Sequence, residues 1–87
     1  MLSDKKKMEI SLVCHATVGN MMATMCNPKY RGANFTWERF PEMMAEHCKT
    51  QVFMSVPMTE RLQKHCLEHA EQTGREIAGS WVKTMTE

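Results

Sequence analysis

Residues 59–85, TERLQKHCLEHAEQTGREIAGSWVKTM, decide how this chain folds. Thr59 suits a helix start, because its hydroxyl can accept a backbone N–H that the first turn leaves free. Behind it Leu62, Cys66 and Ala70 recur in steps of four, which stacks them on one helical face. Gly74 then reads as a stop, since glycine takes up the left-handed conformation that ends many helices. From Arg75 a second helix is predicted, with Ile77, Ala78, Trp81, Val82 and Met85 as a broad apolar stripe and Gly79 on the opposite side. Two amphipathic helices broken at Gly74 need a surface to pack on.

Upstream, Thr50 to Val56 carries Val52, Phe53, Met54 and Val56 before Pro57, a β-propensive run that predicts one short strand. Pro41 followed by Glu42 suits the first turn of a helix running to about Lys49, with the carboxylate at the positive end of the dipole. A helical wheel brings Trp37, Phe40, Met44, His47 and Cys48 to one side of it. Asn27-Pro28 ends whatever precedes it and opens the main loop, residues 27–35. Residues 8–26 read two ways, and the balance favours a strand before Cys14 and a helix after Ala16. Met8, Ile10 and Leu12 alternate like a strand, and Gly19-Asn20 suits a hairpin turn. A helix starting at Ser3-Asp4 would instead gather Ile10, Val13, Cys14, Thr17, Met21 and Met25. The expected fold is mainly α with one or two short β-strands. It forms a single domain over residues 1–87, with a flexible N-terminus at 1–7 and a strand-helix-helix unit at 50–86.

Composition narrows the function. Eighty-seven residues make one modest core, which self-association would help. Eleven basic against ten acidic residues leave a net charge of +1, so there is no generic electrostatic pull on nucleic acid or membranes. No run approaches the roughly 18 apolar residues of a membrane span, which predicts a soluble chain with no membrane partner. Four cysteines without an apolar leader are read as reduced thiols in a cytoplasmic protein. Ten methionines suit irregular cores or adaptable binding faces.

Little in the chain points to catalysis. His65, Cys66 and His69 share one helix, and histidines four apart point the same way as in helical metal sites, but paired-cysteine knuckles are missing. Cys66 with His69 is the nearest thing to a thiol–base pair, whereas Cys14-His15 and His47-Cys48 are sequence neighbours whose side chains diverge. Asp4 is the single aspartate and no phosphate-binding glycine loop is present. The chain is therefore expected to be non-enzymatic, with no cofactor and no metal. The loop around Lys29, Tyr30 and Arg31 joins two cations to an aromatic, a composition found at protein hot spots. With Trp37 and Phe40 as apolar anchors, it is the predicted partner-binding site.

The order from Gln51 to Met85 is a strand, a helix opened by Thr59-Glu60, an AEQTGR junction and a second helix. It resembles the ribbon-helix-helix family. The resemblance covers about 35 residues and implies a homodimer whose paired strands enter the DNA major groove. It would place Gln51, Phe53 and Ser55 on the DNA face and Arg75 near phosphate, although the strand carries no lysine or arginine. Two readings result. The first is a small interaction protein, homodimeric, that binds a protein partner as an inhibitor or adaptor. The second is a ribbon-helix-helix DNA-binding regulator, with a metal-dependent or thiol enzyme third.

Overall fold

The computed structural model describes residues 1–86 and shows three helices: α1 (Asp4–Met25), α2 (Phe40–Ser55) and α3 (Glu60–Thr86). A short 3₁₀ turn, Pro28–Tyr30, lies in the loop between α1 and α2. Each helix start follows local chemistry. The Ser3 hydroxyl accepts from the Lys6 amide (3.1 Å), and the Thr59 hydroxyl accepts from the Leu62 amide (3.3 Å). Pro41 sits in the first turn of α2, where its missing N–H costs nothing.

All three helices bury a row of side chains at steps of four: Ile10, Cys14, Val18 and Met22 on α1; Phe40, Met44, Cys48 and Val52 on α2; Cys66, Ala70, Gly74 and Ala78 on α3. A step of four overshoots the 3.6-residue turn, so each row winds around its helix and can interlock with similar rows on its neighbours. The α3 row contains nothing larger than cysteine, which lets the other two helices approach it closely.

Cross-helix contacts give the directions. Lys6 near the start of α1 donates to the Pro57 carbonyl (2.5 Å), and the Cys14 thiol faces the Ala70 carbonyl (3.6 Å), so α1 runs parallel to α3. Arg75 pairs with Glu42 (2.6 Å) and Lys49 with Glu71 (3.6 Å), so α2 runs antiparallel to α3. The result is an up-down-up bundle measuring 40 × 23 × 16 Å, and its long axis matches the roughly 40 Å expected of the 27-residue α3.

Several expectations are corrected. Residues 50–55 are the last turns of α2, and no strand occurs among the described residues. The ribbon-helix-helix reading falls with that strand, and so does the strand-helix-helix unit at 50–86. The physical reason is the four-residue row. In a helix, Val52 continues Met44 and Cys48 into the core, while Phe53 and Met54 stay 56% and 73% exposed. Intrinsic preference against β-branched residues is at most about 0.7 kcal/mol per residue, which one buried valine outweighs. Pro57 then ends the helix by holding Val56 extended.

Gly74 does not break α3. No glycine has a positive φ, and Gly74 lies fully inside the helix against Cys48. Residues 8–25 are helical throughout, so the strand expected before Cys14 and the hairpin at Gly19-Asn20 do not form and only the helix expected after Ala16 stands; Val18 and Met22, rather than Thr17 and Met21, extend the buried row. Lys5, Lys6 and Lys7 belong to the opening turns of α1. No described helix is long and apolar enough to cross a membrane.

Candidate protein-docking surface

The loop joining α1 to α2 is built around one arginine. Arg31 Nε donates to the Met25 carbonyl at 2.6 Å, satisfying an acceptor that the end of α1 leaves free. Its guanidinium carbon lies 5.2 Å from the Trp37 ring and 5.7 Å from the Phe35 ring, within cation–π range of both. Phe35, Trp37 and Phe40 meet edge to face, with centroids 4.9 to 6.2 Å apart. Phe40 is fully buried and Trp37 half-buried. These two predicted anchors therefore fix the loop on the core, and Phe40 has no surface for a partner. The exposed members of the predicted site are Tyr30, at 58%, and Lys29, whose ammonium lies 6.0 Å from the Tyr30 ring.

Beside this braced loop lies a groove of about 380 Å³, lined by Met25, Gly32–Asn34, Phe35, Arg39 and Met43 and predominantly apolar. Its floor comes from α1 and the loop, and its far wall from the start of α2. Sequence reasoning passed over Arg39 and Met43. The signal was present in Met43, which falls off the Phe40–Met44–Cys48 row and so had to face outward. Lys29, Arg31 and Arg39 enter no salt bridge among the described residues, and residues 26–39 contain one carboxylate, Glu38. The surface is thus an apolar slot with Arg39 in its lining, next to a loop of net positive formal charge.

The other candidate residues are dispersed. Gln51 and Ser55 lie on α2 well away from Phe53, because side chains two apart diverge on a helix where a strand would align them. Arg75 sits in the middle of α3 rather than at a helix start, and its side chain is taken up by a carboxylate in the first turn of α2. Its guanidinium binds Glu42 through Nε (2.6 Å) and Nη2 (3.1 Å) and also reaches Glu71 (3.1 Å). Arg75 holds the Glu42 carboxyl below its ordinary range, and the guanidinium is correspondingly harder to deprotonate. Glu46, and behind it Glu71, raise Lys49. These groups clamp α2 to α3 and leave Arg75 no free charge for phosphate.

His65 stands in solvent while Cys66 turns into the core, so their spacing brings no shared ligand set together. Among the described residues no group of three or more His, Cys, Asp or Glu is placed to hold a metal ion. Cys14, Cys48 and Cys66 are fully buried. Contact with Cys48 and burial push the Cys14 thiol up, so it stays protonated and behaves as a small apolar residue. A second groove, about 470 Å³, lies between α1 and α3, lined by His15, Glu76, Ile77, Ser80, Trp81 and Thr84. Compared with family models, curated proteins and solved structures, the chain matches none.

Proposed function

We propose that this protein acts by docking a protein partner, as an inhibitor or adaptor, through the face formed by the α1–α2 loop and the groove beside it. One observation carries the reading: the loop is braced to the core by Arg31 and three aromatic rings, yet it leaves Tyr30 and Lys29 facing solvent, while Arg39 and Met43 line an apolar slot at the start of α2. A surface loop that was merely a connection would not need a guanidinium held between two rings and a helix end. Pre-organisation of this kind reduces the ordering cost of binding. Tyrosine, arginine and methionine are the residue types enriched where protein interfaces concentrate their energy.

The chemistry specifies the partner's surface. The exposed cations Lys29 and Arg39 against the single carboxylate Glu38 favour an acidic rim on the partner, and a slot of this size accepts one or two apolar side chains such as a leucine or phenylalanine. Truncating Tyr30 would remove a central contact, with a cost of about 2 kcal/mol or more if it acts as a hot spot. Reversing Lys29 would slow association and weaken its salt dependence.

The test compares wild type, Tyr30→Ala and Lys29→Glu for retention of partner from source-cell extract, with Gln72→Ala on the opposite side of the bundle as control. Loss of the partner with the two loop variants and retention with the control is the expected pattern. Equal retention by all four removes this face from the mechanism.

A further inference from the structure

The outer face of α1 carries a pattern that the monomer does not use. Met8 and Leu12 are each 65% exposed, His15 follows at the α1–α3 groove, and Gly19 lies one turn above it. Residues 8, 12, 15 and 19 follow the 4-3-4 spacing of a seam along which one helix packs on another. A Cβ added to Gly19 would meet nothing within 4 Å. Glycine inside a helix costs about 1 kcal/mol relative to alanine, and no contact within this chain offsets that cost at Gly19. At Gly74, by contrast, a neighbouring helix fills the space.

We infer that two copies of this chain associate through α1, antiparallel about a two-fold axis at the level of Val13 and Cys14. This register sets Leu12 opposite the partner's His15 and Met8 opposite the partner's Gly19. The bulky lower end of each seam then meets the small upper end of the other, and each Met8 thioether reaches the mouth of the groove walled by Trp81, which is 47% exposed. Flexible methionine against an aromatic wall is a favourable pairing.

Charge fixes the direction. Every formal charge of α1 lies within Asp4 to Glu9, and residues 16–25 carry none. Parallel packing would stack Lys5, the lysine beside the seam, on its own copy. Antiparallel packing lays Lys5 against the negative end of the partner's helix, which has no cation in its last turn. A face two helices wide and the length of α1 is about 30 Å by about 20 Å. That sits near the low end of stable interfaces, which fits a reversible dimer whose population depends on concentration. The loop-end face stays free on both copies, and the association stands independently of what docks there.

The experiment measures mass against concentration by sedimentation for wild type and Gly19→Leu. The added side chain enters open space in the monomer, so the variant keeps or gains thermal stability, while its dimer dissociation constant rises by about tenfold or more. Register is read in a Cys26→Ser background by mixing Met8→Cys with Gly19→Cys chains and adding a short bismaleimide. The cross-link expected is between the two different chains. A wild type that stays monomeric at millimolar concentration, a dimer indifferent to Gly19→Leu, or a dominant link between two Met8→Cys chains each overturns the inference.

Discussion

Replacing Gly74 by alanine probes the contact on which the bundle closes. A Cβ there would lie 2.7 Å from the Cys48 sulfur, 2.9 Å from the Cys48 Cβ and 2.9 Å from the Met44 carbonyl oxygen. Unstrained contacts between such atoms fall near 3.5–4.0 Å, so α2 and α3 must separate by several tenths of an ångström. The sulfur could swing aside, but the carbonyl belongs to the α2 backbone and cannot. Overpacking of this kind costs typically 1–3 kcal/mol, and the rigid obstacle places it in the upper part of that range. Against it stands a gain of about 1 kcal/mol in helix propensity. The net loss is about 1–2 kcal/mol, a fall in Tm of roughly 5–15 °C for a domain of this size. Thermal melts and urea titrations of Gly74→Ala, Cys48→Ala and the double variant measure it. Removing the sulfur relieves the closest contact, so Gly74→Ala should cost at least about 0.5 kcal/mol less in the Cys48→Ala background. A Gly74→Ala protein more stable than wild type, or strictly additive variants, would refute the close approach of α2 to α3 at this position.

Gly79 lies five residues along the same helix and a Cβ there meets nothing, so Gly79→Ala should raise stability by about 0.5–1 kcal/mol in the same urea titration. Arg31→Ala removes the bond to the Met25 carbonyl and two ring contacts; a loss of about 2 kcal/mol is expected, with Arg31→Lys restoring only part, because lysine lacks the planar fork that bridges helix end and rings. Acid should weaken the clamp between α2 and α3. Arg75 lowers the Glu42 carboxyl, so the folded chain binds that proton less readily than the unfolded one. The contribution is complete above the unfolded carboxylate value, about 4.3, and is lost as pH falls through the folded one. Melts between neutral pH and pH 3 should show a shallower acid limb for Glu42→Gln than for wild type, and the difference should shrink in high salt because both groups are exposed.

Much of the framework could be read from the chain, and the failures have particular causes. Ser3, Pro41-Glu42 and Thr59 marked helix starts correctly because capping is a local interaction within four residues. The Leu62–Cys66–Ala70 row was visible for the same reason. Gly74 was misread because glycine serves two roles, ending a helix or admitting a neighbour, and Cys48 on another helix decides between them. Thr50 to Val56 was misread because β-branched residues suggested a strand, while the row through Met44, Cys48 and Val52 that holds them helical becomes evident only with α1 and α3 in place. At the candidate surface, Lys29, Tyr30 and Arg31 stood out by composition. That Arg31 would turn inward to cap α1, and that Met43 and Arg39 would wall a groove, depended on how the loop folds back on Met25.

Site-specific photo-cross-linking tests the docking surface most directly. A benzophenone side chain is placed at Tyr30, at Met43 or, as control, at Gln72, and the purified proteins are irradiated in source-cell extract. The docking face proposed for the loop end predicts one common protein adduct from Tyr30 and Met43 and none from Gln72. An adduct formed equally from Gln72, or from Gln72 alone, would contradict it.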